Sequence, residues 1–246
     1  MNIGLYQSAA SLTALERWQD AVTQNITASQ VSGFKKRTVE FSGTEMGEIN
    51  DGDGKDGISQ SGVLPKASYG VNFQAGETQP TGRPLDVAIQ GEGFFKVQTP
   101  AGDQVFTRAG ELHLSPDHTL INKDGNAILS DQGSPITLQP EGGDPVISDD
   151  GTVKQGDNQI GKIGVFRFEN VHDLNPLGGG QFTPAKDQEV IGVDRPMVLQ
   201  GYLENSNVTP LREMVSLVQI SRAYEANQKL ISSRDQTMQR TLETLG

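Results

Sequence analysis

The sequence contains no cysteine. That removes disulfides, thiolate metal sites and cysteine nucleophiles together. Histidine is scarce, with 3 residues, and aromatics make up only 6% of the 246 residues. With apolar content at 34%, the chain is lean for an enzyme of this size, although its length still allows a real core in one or two domains. Positive charge is also short. Twenty Lys and Arg face 31 Asp and Glu, for a net charge of −11 and a pI near 4.7. Such a surface repels a polyanionic backbone, so no nucleic-acid partner is expected. No run approaches the roughly 18 apolar residues of a membrane helix, so no transmembrane segment is expected. The first residues do not read as a secretory signal. No Lys or Arg precedes Arg17, and Ser8, Ser11 and Thr13 interrupt the apolar residues. Export, if it occurs, is expected to use a route without a cleaved signal peptide.

What is present is a strong helical pattern at each end. Leu5, Ala9, Leu12, Leu15, Trp18, Val22 and Ile26 are spaced by three or four, which puts them on one helix face. Gly33 is a plausible stop. Near the other end, Thr209 and Pro210 form a helix start. Leu217, Tyr224, Ile231, Met238 and Leu245 then recur every seventh residue, and Met214, Ile220, Leu230 and Leu242 widen the stripe. A helix of about 35 residues would be roughly 50 Å long. The second heptad position is polar, at Asn227 and Arg234 or at Gln228 and Asp235, which points to a helix packed on several neighbours rather than a two-stranded zipper. Neither helix is stable alone in water, so each apolar face needs a partner. Expected contact residues are Leu5, Leu12, Leu15, Trp18, Val22, Ile26, Met214, Leu217, Tyr224, Ile231, Met238, Leu242 and Leu245.

The middle reads differently. Residues 43–82 are rich in Gly, Asp, Ser and Thr and suggest an extended connection with one or two strands. NDGDGKDG within it hints at a calcium loop but fails the EF-hand pattern: Lys55, Asp56 and Gly62 stand where a ligand, the glycine and the bidentate Glu belong. From Pro84, short alternating runs such as LDVAIQG, GFFKVQTP and KIGVFRFEN are separated by turn residues, with Asp124-Gly125 and Asp150-Gly151 as hairpin turns. The expected fold class is α+β. A discontinuous, coiled-coil-like helical domain comes from both termini, and an antiparallel β domain, barrel or sandwich, is inserted in it. The segments are 1–34, 35–82, 83–200 and 201–246.

Catalytic patterns are thin. His113 and His118 flank Asp117 but lack recognised metal-ligand spacing. There is no Gly-x-Ser-x-Gly elbow, GEGFF precedes a strand rather than a helix, and Gly178-Gly179-Gly180 lacks the Lys of a P-loop. No cofactor, metal or small-molecule substrate is expected, and no enzyme activity.

Three separated stretches resemble the flagellar basal-body rod and hook protein family. NITASQVSGFKK is similar to its N-terminal signature at Asn25, Gly33, Phe34 and Lys35, and departs from it at Thr27, Ala28 and Val31. LDVAIQGEGFFKV with FTRAGELHL resembles its β-domain signature at Gly91, Gly93, Phe94, Phe95, Arg108 and Gly110. GYLENSNVTPLREMV and ISRAYEANQKLISSRDQTM resemble its C-terminal signature at Glu204, Ser206, Asn207, Val208, Arg222, Tyr224 and Glu225. The length resembles that of rod members with one β domain, proximal or distal. The resemblance implies a structural subunit of the basal-body rod in the periplasm, supporting motility. It would polymerise through its terminal helices with other copies of itself and with other flagellar rod proteins, as a drive shaft from motor to hook. The flagellar type III export apparatus is then a further partner. The alternative is a soluble β-domain binder or cell-wall glycan hydrolase that oligomerises through its helical ends, which an Asp/Glu pair facing one polar cleft would favour.

Overall fold

The computed structural model describes residues 3–45, 63–186 and 188–245. The chain is α+β, with two long helices and several antiparallel sheets, none of which closes on itself among the described residues. It divides into two compact units, both discontinuous in sequence. The NDGDGKDG stretch lies outside the described residues.

The first unit comprises Met1–Ile26, Arg37–Gly70 and Thr209–Gly246. Helix α1 spans Ile3–Thr27 and helix α2 spans Pro210–Leu245. The carbonyl of Thr209 accepts from the Arg212 and Glu213 amides, so α2 starts where its Thr-Pro pair places it. The strands β1, Arg37–Glu45, and β2, Val63–Val71, pair as a two-stranded ribbon. A ribbon of two strands is marginal by itself, and this one is braced on α1. Arg17 Nη1 donates to the Ala67 carbonyl at 2.6 Å. The Trp18 and Phe41 rings meet edge to face at 5.8 Å. The sequence predicts an extended connection with possible strands over 35–82, and strands are found there at Arg37–Glu45, Val63–Val71 and Thr78–Pro80. Most of the described strand residues there belong to the same unit as the helices.

The second unit comprises Thr27–Lys36 and Val71–Val208. Its central strand, Phe94–Gln98, shows why the sheet forms here. Alternate residues point to opposite faces, and each face contributes to an apolar core. Phe95 and Val97 enter one core with Val87, Leu112, Leu120, Ile128 and Val198, while Phe94 enters another with Phe106, Phe168, Leu174 and Phe182. The two predicted hairpin turns are present, with Gly125 at φ 81° and Gly151 at φ 83°, a region that favours glycine. Two short pairings return the end of the unit to its beginning: Met197–Gln200 pairs Val87–Gln90, and Tyr202–Glu204 pairs Thr78–Pro80.

Candidate assembly surface

In the first unit, α1 and α2 run antiparallel. Asn25 meets Glu213, and an equal number of residues further along each helix Asn227 Nδ2 donates to Ser11 Oγ at 3.3 Å. Between these polar ties lies an apolar seam. Leu15, Val22 and Ile220 are buried, with Trp18, Ile26, Leu217, Ala223 and Tyr224 packed against them. Leu12 and Ile231 are half-buried. Ile220, the deepest residue of the α2 seam, belongs to no seven-residue series. A straight helix drifts about 20° per heptad relative to that period. Met238, far along the series, is exposed. Carrying the register back to Ile3 brings α1 level with Asp235, so α2 from Gln236 onward has no described α1 residue opposite it. Leu5, Leu242 and Leu245 belong to the helices, but their side chains lie outside the described residues.

Asn25 ties three elements of this unit. Its Nδ2 donates to the Arg37 carbonyl at 2.8 Å and to Glu213 Oε2 at 3.1 Å, and its Oδ1 accepts from the Arg37 amide at 2.8 Å. Asn25 and Glu213 are both buried. Glu213 lies in the first turn of α2, where a carboxylate is favoured by the helix dipole.

Met214 does not join the α1-facing seam. Leu211, Met214, Val215 and Val218 follow i, i+3, i+4, i+7 spacing and are 72%, 52%, 53% and 53% exposed. At 100° per residue they centre about 140° around α2 from Leu217, Ile220 and Tyr224. Helix α2 thus has two apolar faces, one packed on α1 and one open. Arg222 and Glu225 are exposed further along it.

Parts of the three stretches that carry the family resemblance meet in the second unit. Lys35 Nζ lies 2.5 Å from Glu204 Oε1, and their side chains are 1% and 2% exposed. The same Lys35 donates to the Gln74 carbonyl at 2.9 Å, and the Gly76 amide donates to Glu204 Oε1 at 2.9 Å. Arg108 is also buried, with Nη1 3.4 Å from Glu204 Oε2. It further donates to the carbonyls of Ile89 and Gly91. Burial pushes the Lys35 ammonium below its ordinary 10.5, against the opposing pull of Glu204. Burial likewise lowers Arg108, against Glu204 and Glu92. Asn207 accepts from the Lys36 amide at 2.7 Å and donates to the carbonyls of Asn72 and Gln74. Phe34 and Val208 are buried, and Ser206 Oγ accepts from the Val208 amide. Gly33 sits at φ 69°, and a Cβ there would lie 2.3 Å from the Arg108 carbonyl carbon. A Cβ on Gly110 would lie 1.6 Å from the Val87 oxygen, so neither position admits a side chain without movement.

A cavity of about 320 Å³ in this unit is lined by Phe73, Phe94, Phe168, Arg108, Arg167 and His172, with Glu92 and Glu169. Both carboxylates are exposed. A glycosidase acid instead sits in an apolar site. His113 lies within strand Leu112–Leu114, paired with Ile121, and His118 lies in the turn before strand Leu120–Asn122. Among the described residues no group of His, Asp and Glu is arranged to hold a metal ion, and no helix is long and apolar enough to cross a membrane.

Comparison with known proteins agrees with this layout. A family model described as flagellar basal body rod FlgEFG protein C-terminal matches residues 199–244, and one described as flagellar hook protein FlgE/F/G D1 domain matches residues 88–155. The chain is 32% identical to the flagellar basal-body rod protein FlgF of Mesorhizobium japonicum, with 100% of this chain and 99% of that protein covered. It is 31% identical to FlgF of Caulobacter vibrioides at the same coverage. It is also similar to the flagellar basal-body rod protein FlgG of Agrobacterium fabrum, at 30% identity over 93% of this chain and 94% of that protein.

Proposed function

The chain belongs to the flagellar basal-body rod protein family, and on that premise we propose that it polymerises through its terminal helices into the shaft that transmits torque from motor to hook. The observation that carries this reading is the second apolar face of α2. One face is consumed by α1. The other, from Leu211 to Val218, is open in the single chain. Contiguous exposed apolar stripes of this kind mark interaction surfaces. Repeated heterologous contacts that do not close generate a helical filament. The role is mechanical, and no catalytic step is involved.

The location that follows is the flagellar basal body, with the rod in the periplasm and the subunit delivered by the type III export apparatus without a cleaved signal. Other copies of the chain and other rod proteins are the partners. End-to-end alignment with the FlgF relatives supports an FlgF-type member.

The test is Met214→Asp combined with Val218→Asp in the cell. Both side chains are open in the single chain, so the variant should fold, be exported and fail to build rods, leaving cells non-motile. Normal swimming would reject the proposal.

A further inference from the structure

We propose that Lys35, Glu204 and Arg108 form a registry lock, a charge-coded device that selects one pairing of the N-terminal and C-terminal segments of the β unit rather than adding to its stability. Two buried cations share one buried carboxylate. Desolvating such a group costs about as much as its attraction returns, so an apolar replacement is often no less stable. Stability therefore does not explain the cluster, whereas a need for registry does.

That need is visible in the neighbouring strands. Thr78–Pro80 pairs Tyr202–Glu204 over three residues, and all three of Thr78, Gln79 and Pro80 are exposed. A strand without a buried face has weakly specified register. On the other segment, Lys35, Lys36 and Arg37 offer three successive cations, of which only Lys35 is buried, against the Glu204 carboxylate. Three further contacts fit the register that the buried ion cluster selects. Gly33 seats its bare Cα against the Arg108 backbone and donates its amide to the Glu204 carbonyl at 2.7 Å. Asn207 reads the Lys36 amide. Of the three cations, Lys35 reaches Glu204 in that register.

The polarity of the site is fixed by backbone as well. The Gln74 carbonyl faces the cation, and the Gly76 N–H faces the carboxylate. An exchanged pair would aim each charge at the wrong dipole and would set a lysine beside Arg108. This separates a lock of fixed polarity from an ordinary ion pair, which tolerates exchange. The inference does not depend on the rod reading, because it concerns closure of one unit within one chain.

The experiment uses the full-length protein, ¹⁵N-labelled, with amide exchange at Gly33 and Gly76 as readout and Val97 and Ile128 as core references. In Lys35→Glu/Glu204→Lys, exchange at Gly33 and Gly76 should rise on the order of a hundredfold while the core stays protected. In Lys35→Met/Arg108→Met/Glu204→Leu, the urea midpoint should equal or exceed that of the native protein, yet Gly33 and Gly76 should give doubled or broadened resonances. Glu204→Gln, the mildest change, should show the same doubling. Native protection in the exchanged pair, or a single sharp native set in Glu204→Gln or the apolar triple, would overturn the proposal. So would a Glu204→Gln protein whose core references lose protection together with Gly33 and Gly76, since the cluster would then be a stability element.

Discussion

Asn25 and Glu213, 188 residues apart in sequence, meet at 3.1 Å inside the helical unit, where Asn25 also holds both backbone groups of Arg37. One amide side chain thus joins the end of α1, the start of β1 and the first turn of α2. Asn25→Ala strips hydrogen bonds from buried Glu213 and the half-buried Arg37 backbone, which costs more than the bonds themselves are worth. We expect a loss of about 3 kcal/mol in the helical unit, with faster exchange of the Arg37 amide. Urea unfolding followed by exchange mass spectrometry would separate this unit from the β unit.

The two faces of α2 should respond differently to truncation. Ile220 is fully buried on the α1 side, and Ile220→Ala should cost about 3 kcal/mol through the cavity it leaves. Val218→Ala, on the open face, should change monomer stability by less than about 0.5 kcal/mol. Circular dichroism melts of both variants would check the contrast.

Gly33→Ala should be among the most damaging small substitutions in the chain. It combines a left-handed φ of 69° with a Cβ placed 2.3 Å from main-chain carbon that has no room to retreat. We expect a loss of more than about 3 kcal/mol in the β unit, read as a fall in the urea midpoint.

An acid-limb effect follows from Asp150. Its carboxylate accepts from the Thr152 amide at 3.1 Å and from Thr152 Oγ1 at 2.9 Å, which holds it below the ordinary 3.8. A depressed folded value means the unfolded chain binds the proton more readily. The stabilisation is therefore complete above 3.8 and is lost as pH falls through the lower folded value. Asp150→Ala should lie below the native protein in stability at neutral pH and converge with it below that window. Thermal melts from pH 2 to pH 7 would test the convergence.

Both helices were legible because a 3.6-residue period survives without knowledge of any partner. The seven α1 positions from Leu5 to Ile26 all fall within Ile3–Thr27, although the helix ends six residues before the expected Gly33 stop, and α2 starts at the expected Thr209-Pro210 pair. The face of α2 that meets α1 was not legible. The helix carries two apolar stripes, and Met214 fits the spacing of either until a partner is present. The β1–β2 ribbon was hidden for a related reason. Its pairing joins segments separated by residues 46–62, and periodicity says nothing about which strand finds which. The motifs were readable one at a time. Their meeting at Lys35 and Glu204, 169 residues apart, is a property of the fold.

The central claim is that the outer face of α2 is covered in the assembled rod. The absence of cysteine makes it directly measurable, because a single Val218→Cys substitution is the sole thiol in the chain. Maleimide labelling of this variant should be rapid in the free subunit and at least about tenfold slower in purified basal bodies. Equal labelling in both states would contradict the account.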